Sequence, residues 1–154
     1  MTIRKLTPEE YAPALELVWR VFLEFEAPDY TQEGIEEFRR SINDSGYLSM
    51  LTVYGGYVEG TLAGVIATRS FGGHIALFFV DKQFQRQGIG RELFNAVLAD
   101  CRFDSITVNS SPYAVEVYHR LGFTDTDREQ NISGLRFTPM RFDVNNGNFK
   151  TSLP

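Results

Sequence analysis

Polar and apolar positions change their period twice along the chain. Residues 2–4 read as a short strand, after which Thr7 caps a helix with Pro8 in its first position and Glu10 closing a capping box. Tyr11, Ala14, Leu15, Val18, Phe22 and Phe25 then repeat at helical spacing. Ala27, Pro28, Asp29 and Tyr30 break that helix, and Thr31 caps a second one with Ile35, Phe38 and Ile42 on its apolar face. Its charges, Glu33, Glu36, Glu37, Arg39 and Arg40, read as a solvated face. From Tyr47 to Val80 the period becomes that of strands. Residues 50–58 and 61–69 form a hairpin through Glu59 and Gly60, and Phe71, Gly72 and Gly73 turn the chain into 74–80. That last run is apolar on both faces, as a central strand requires. Residues 88–101 predict a helix with Ile89, Leu93, Phe94, Val97, Leu98 and Cys101 as its buried stripe. A strand over 105–108, a helix over 112–121 ending at Gly122, and strands near 123–125 and 135–142 complete the domain, with Pro139 interrupting the last. Residues 145–154 form a polar tail. The chain therefore reads as one domain of the α/β class over 1–144, a mixed sheet with helices on both faces.

Composition narrows the function more than the fold. A net charge of −5 gives non-specific nucleic-acid binding no overall electrostatic support, so no nucleic-acid partner is expected and an anionic ligand must be held by local geometry. Arg4 and Lys5 lead into polar residues rather than an apolar run, so no signal peptide is read, and no stretch approaches a membrane span. A single cysteine, Cys101, cannot form an internal disulfide and suits a reducing cytoplasm. On an apolar helical stripe it reads as packing, with a reactive thiol as the alternative. No metal is expected.

The candidate chemistry lies where the apolar strand ends. Phe78, Phe79, Val80 and Asp81 are followed by a polar turn, Lys82 to Arg86, and then by Gln87, Gly88, Ile89, Gly90 and Arg91 at the predicted helix start. First-turn N–H groups lack intrahelical partners and carry partial positive charge, and glycine lets a ligand reach them without meeting a Cβ. Phosphate oxygens suit such a place, and Arg86 and Arg91 add full charges. The plain alternative is a tight strand-to-helix turn. A dinucleotide fingerprint would need glycine where Leu93 stands, and a P-loop would need a Gly-Lys-Ser/Thr run that is absent.

The run Gln85-Arg86-Gln87-Gly88-Ile89-Gly90 resembles the Gln/Arg-x-x-Gly-x-Gly/Ala signature of the GNAT superfamily of acetyl-CoA-dependent N-acetyltransferases. Val108 to Ala114 and Tyr118-His119-Arg120-Leu121-Gly122-Phe123 resemble its second motif, and the order of elements matches over nearly the whole chain. The resemblance implies a central, mostly antiparallel sheet and direct transfer of an acetyl group from acetyl-CoA to a primary amine in a ternary complex. It implies that backbone groups of Phe78, Phe79 and Val80 pair with the pantetheine arm and that N–H groups from Arg86 to Arg91 hold the pyrophosphate. Gln85, Asn109 and Ser111 would also approach the cofactor, and Tyr118 would protonate the departing thiolate.

Lys82 stands where proline is common, Arg86 where glycine is common, and Ile106 near where some members carry a glutamate base. Glu24, Glu26, Asp29 and Tyr30 fall where the family shapes its acceptor pocket, so they could bind a cationic amine or simply form an acidic surface loop. Tyr118 has a bland alternative too, as a core aromatic. His74 could be a base, whereas His119, beside Tyr118 on a helix, faces another direction. A binding module that senses acyl-CoA without turnover is the rival function, and a homodimer is left open.

Overall fold

The computed structural model describes residues 1–144; the polar tail expected over 145–154 lies outside the described residues. Strand β1 (Thr2–Lys5) leads through a turn to α1 (Tyr11–Phe25). Glu10 closes that turn by accepting from the Thr7 N–H at 3.0 Å and pairing with Arg4. Helix α2 (Gln32–Ile42) starts where Thr31 accepts from the Gly34 N–H at 3.3 Å, as its cap spacing predicts. A short helix α3 (Ser45–Ser49) replaces the start of the strand region read from Tyr47. Its signal is Asp44, whose carboxylate accepts from the Tyr47 N–H at 2.9 Å, while Tyr47 and Leu48 pack beside the core. Strands β2 (Thr52–Val58) and β3 (Thr61–Arg69) form the expected hairpin, with Glu59 and Gly60 both at positive φ. After β4 (His74–Val80) come α4 (Ile89–Asp100), β5 (Ser105–Ser110), α5 (Val115–Leu121), β6 (Thr124–Asp125), β7 (Gln130–Ile132) and β8 (Leu135–Asp143).

The sheet runs β1-β2-β3-β4-β5-β8-β6, with β7 paired to β8. Every pairing is antiparallel except β4 with β5, and α4 is the crossover that a parallel pair needs. Helix α4 buries Ile89, Leu93, Phe94, Val97 and Leu98 on one face of the sheet, where Tyr118 of α5 joins them. Helix α1 buries Val18 and Phe22 on the other face, where the Phe22 ring stacks on Phe38 of α2 at 4.0 Å. Helices thus cover both faces.

Two further details depart from the sequence reading. Pro139 does not interrupt β8, which runs in register with β5 through Asn109 opposite Pro139. The Pro139 carbonyl accepts from the Thr126 N–H at 2.9 Å, so its missing donor also falls on the β6 side and the β5 ladder loses nothing. The hairpin between β7 and β8 has no counterpart in the sequence pattern. It turns on Ser133 and Gly134, both at positive φ, and that turn seats on the start of α2: a Cβ on Gly34 would lie 2.2 Å from the Gly134 carbonyl oxygen.

Candidate active site

Strands β4 and β5 pair only at His74 with Thr107 and Ile75 with Val108, then part. On its other edge β4 stays paired with β3 as far as Val80 opposite Gly64. The Asp81 N–H donates to the Ala63 carbonyl at 2.8 Å, so by strand alternation the backbone groups of Phe78 and Val80 face the gap while those of Phe79 face β3. Gln85 donates through its side-chain amide to the Val80 carbonyl at 3.1 Å and fixes the strand's end. Asp81 is buried, accepts from the Gln83 N–H at 2.9 Å and pairs with Arg20 of α1 at 2.9 Å. Lys82 pairs with Glu24 at 3.3 Å, so α1 is clamped to the end of β4 twice.

The gap opens into a cavity of about 750 Å³ that reaches the start of α4. Arg86 and Gly88 are both left-handed, at φ 63° and 86°, and between them they turn the chain into the helix. The first α4 hydrogen bond is donated by the Glu92 N–H to Gly88, which leaves the N–H groups of Ile89, Gly90 and Arg91 at the open end. Gly90 lines the cavity, and a Cβ there would lie 3.6 Å from the Phe78 ring. The Ile89 side chain points into the core, so only its backbone bears on this place. Gln87 does not line the cavity; its side chain donates back to the Gln83 carbonyl at 3.0 Å. The Arg91 guanidinium crosses to the Arg120 carbonyl at 3.2 Å and so ties α4 to the end of α5. A left-handed Arg86 gives the physical reason why glycine suits that position, since a Cβ there costs about 1 kcal/mol.

At the far end of the cavity stands Tyr118, its ring edge-on to Phe78 at 5.9 Å and to Phe123 at 5.2 Å. The packing is that of a core aromatic. Its hydroxyl, however, has no hydrogen-bond partner among the described residues, and no buried polar side-chain atom there is left unsatisfied. The hydroxyl therefore opens onto the cavity that Tyr118 lines. Burial raises its pKa, and Glu26 and Tyr30 raise it further, so it stays protonated throughout the physiological range.

Of the four acceptor-side candidates, Glu26 lines the cavity. Burial raises its carboxyl to about 7, against a hydrogen bond from Ser111 that lowers it, and Asp29 adds repulsion. Tyr30 lies within the same hydrogen-bonding reach of Ser111, and its pKa too is raised, first by burial. Asp29 faces Arg136, 3.9 Å away, and Glu24 is turned to Lys82. Ser111 is buried and its hydroxyl accepts from the Ala114 N–H at 3.3 Å. Asn109 is exposed on β5 and does not line the cavity.

The lining also includes residues not singled out as site residues from the sequence, among them Phe25, Tyr113, Val117 and Arg120. Phe25 falls on the helical core stripe by its spacing, but its ring stacks on Tyr113 at 5.0 Å and bridges α1 to the turn before α5. Only the spatial neighbourhood reveals this pair. Neither histidine reaches the cavity. His74 begins β4 at the paired end, with Nδ1 2.8 Å from the Thr107 hydroxyl, and burial lowers it to about 4. His119 turns outward to Asp125 at 2.7 Å. Ile106 is wholly buried. Cys101 sits just beyond α4 in extended backbone, not on the helical stripe; it is half-buried against the core, and its sulfur accepts from the Phe103 N–H at 3.4 Å. If the acyl transfer implied by the two motifs holds, Cys101→Ser is expected to preserve CoA release from a folded preparation, and its loss would favour an acyl-cysteine route instead.

Residues 26–144 match the family described as acetyltransferase (GNAT) domain. The chain is 32% identical over 117 residues to a glutamine-hydrolysing GMP synthase polypeptide of Methanopyrus kandleri; the match takes in 73% of this chain but 34% of that protein, so the chain spans about a third of the length of that relative. Among solved structures, a GCN5-related N-acetyltransferase of Rhodopseudomonas palustris superposes with a TM-score of 0.78 at 22% identity, over 92% of this chain and 94% of that one. The PaiA N-acetyltransferase of Thermoplasma acidophilum, crystallised with coenzyme A, superposes with a TM-score of 0.66 at 18% identity, over 92% and 98%. With the two motifs on a splayed β4–β5 pair and a glycine-started α4, this chain belongs to the GNAT acetyltransferase family.

Proposed function

We propose that this protein transfers an acetyl group from acetyl-CoA to a primary amine that attacks directly while both substrates are bound. The observation that carries the reading is one cavity joining three features: the gap-facing backbone of Phe78 and Val80, the start of α4 at Gly88, Gly90 and Arg91 with its open N–H groups, and the Tyr118 hydroxyl. An extended, branch-free chain can add to the β4 edge as a strand would, and a pyrophosphate suits the helix start. Coenzyme A is a molecule of that shape, and PaiA, a protein of this fold, was crystallised with it. Acetyl-CoA supplies the activated acyl group. Phe78, Phe79 and Val80 would hold its arm, Arg86 and Arg91 would balance its charge, and Gln85 would keep Val80 in place. Gln87, Asn109 and Ser111 lie off the cavity lining and would approach the cofactor only from its margins.

The Val80 N–H would steady the charge that develops on the carbonyl oxygen, a role that needs no dedicated side chain. Tyr118 gives its proton to the departing sulfur. Glu26, with Tyr30 behind it, would hold the amine, while Asp29 and Glu24 lie toward the rim in ion pairs. The half-buried Cys101 thiol suits the reducing cytoplasm, which we take as the place of action.

Saturating acetyl-CoA is expected to raise the melting temperature by roughly 5–10 °C, since a ligand at about 100 times its Kd adds about 2.7 kcal/mol of stability. Gly90→Phe should abolish the shift without unfolding the chain. Gly90 has ordinary helical backbone, and the new ring would occupy the space that the phosphates need. A wild-type protein whose melting ignores acetyl-CoA would defeat the assignment. Binding without CoA release across varied amines would favour a sensor.

A further inference from the structure

We propose that Glu26 is the proton acceptor for the attacking amine and that Ser111 positions it, an assignment that rests on the acyl-transfer reading above. A primary amine has a pKa of about 10.4 by analogy with lysine, so at neutral pH only about one molecule in 10³ carries the free lone pair that attack requires. A base in the cavity must therefore take a proton. Among the described residues that line the cavity, Glu26 is the sole carboxylate; the other charged groups there are Arg86, Arg91 and Arg120, which cannot accept. Both histidines lie elsewhere, and the place near which the family can carry a glutamate is the buried Ile106.

The surroundings suit the task. Glu26 follows the last residue of α1, beside Phe25 and across from Phe78 and Tyr118. This apolar wall strips water from the carboxylate and makes it a stronger base than a solvated glutamate near 4.3. Ser111 opposes that trend. Its hydroxyl oxygen accepts from the Ala114 N–H, and the hydroxyl lies close enough to Glu26 and Tyr30 to favour the charged carboxylate against the effect of burial. The other titratable groups facing this place are Asp29, Tyr30 and Tyr118, with Arg136 behind Asp29 and Tyr30.

Protons balance as follows. The ammonium gives one proton to Glu26, and the freed nitrogen attacks the thioester carbonyl carbon. The C–N bond forms and the C–S bond breaks, with the bonding pair leaving on sulfur. Tyr118 protonates that sulfur and recovers a proton from the new amide nitrogen, so no tyrosinate persists. Glu26 then releases the ammonium's original proton to solvent. The net products are the amide, CoA thiol and one proton.

The test follows CoA release from acetyl-CoA between about pH 5.5 and 9, using benzylamine, spermidine and a lysine-containing peptide as acceptors. Wild-type kcat/KM should rise through an apparent pKa near 7. Glu26→Gln should lose that limb and about 10²–10³ in rate, while calorimetry finds CoA affinity unchanged. Ser111→Ala should move the limb to higher pH, since it removes the donor that favours the carboxylate. This second variant keeps the proposal testable if Glu26→Gln folds poorly.

Stability provides a readout independent of activity. The folded carboxyl holds its proton to a higher pH than the unfolded one, so the wild type should lose stability between about pH 4.5 and 7, a slope that Glu26→Gln lacks. A folded Glu26→Gln variant that keeps the rate and the limb overturns the proposal alone. So does a limb that Ser111→Ala leaves in place. If the wild type neither binds nor turns over acetyl-CoA, the acyl-transfer reading falls, and this proposal with it.

Discussion

Tyr118→Phe is expected to lower kcat by about 10²–10⁴-fold with little change in affinity for acetyl-CoA, the range of a positioned general acid. The substitution keeps the ring between Phe78 and Phe123 and deletes only the hydroxyl. That hydroxyl has no partner among the described residues, so its removal orphans no other group and stability should change little or even improve. This separates the two roles of the residue cleanly. A tyrosine that mattered only as packing would give a phenylalanine variant with full turnover. Measuring kcat and melting temperature on the same preparation distinguishes them, and wild-type kcat in the variant would end the general-acid assignment. The raised pKa does not argue against the role. On the proposed mechanism it would keep the proton on oxygen until the sulfur needs it, and the return of a proton from the amide nitrogen would spare the site a buried tyrosinate.

The largest loss of stability should come from a single methyl group at Gly34. Gly34→Ala puts a Cβ at 2.2 Å from the Gly134 carbonyl oxygen and 2.6 Å from its carbon, both backbone atoms that no rotamer change can move aside. Either the β7–β8 turn lifts off α2 or the helix start shifts. Overpacking of this severity costs about 2–4 kcal/mol and should lower the melting temperature by roughly 5–15 °C. Gly46→Ala is the matched control: in the short α3 its Cβ would meet only the Asp44 carboxylate oxygen at 3.4 Å, and alanine favours a helix. Equal melting of the two variants would show that the Gly34–Gly134 contact does not hold the hairpin down.

Local rules carried most of the fold. The caps at Thr7 and Thr31, the Glu59–Gly60 turn and the apolar run of β4 each have a cause within a few residues, and each stands where the sequence placed it. The glycine-started helix was legible for the same reason. What escaped depends on partners distant in the chain. Nothing near Ile132 announces β7, because the hairpin is held by a backbone contact with Gly34, about a hundred residues earlier. Asp44 is a local cap signal that the alternation beginning at Tyr47 masks. Around the cavity, the four acceptor-side residues cluster in sequence, and only geometry sorts them. Glu24 has Lys82 and Asp29 faces Arg136, whereas Glu26 turns inward. Arg120 and Phe25 are invisible as lining residues because each depends on a distant partner: Arg120, at the end of α5, meets Arg91 of α4, and Phe25, at the end of α1, meets Tyr113 before α5.

The parting of β4 from β5 also bears on solubility. Unpaired strand edges invite the strands of other molecules, and proteins ordinarily blunt them with charge, proline or extreme shortness. Here the gap-facing backbone groups of Phe78 and the Val80 N–H lie inside the sheet, between the start of α4 and the body of α5, with the Val80 carbonyl taken by Gln85. A foreign polypeptide strand would bring side chains to both faces of the gap, and the rings of Phe78 and Tyr118 already stand there. A thin chain without branches meets no such obstacle. The opening is thus a steric filter as well as, on the proposed reading, a binding edge, and a strand edge can stay available to a thin chain without offering a template for aggregation.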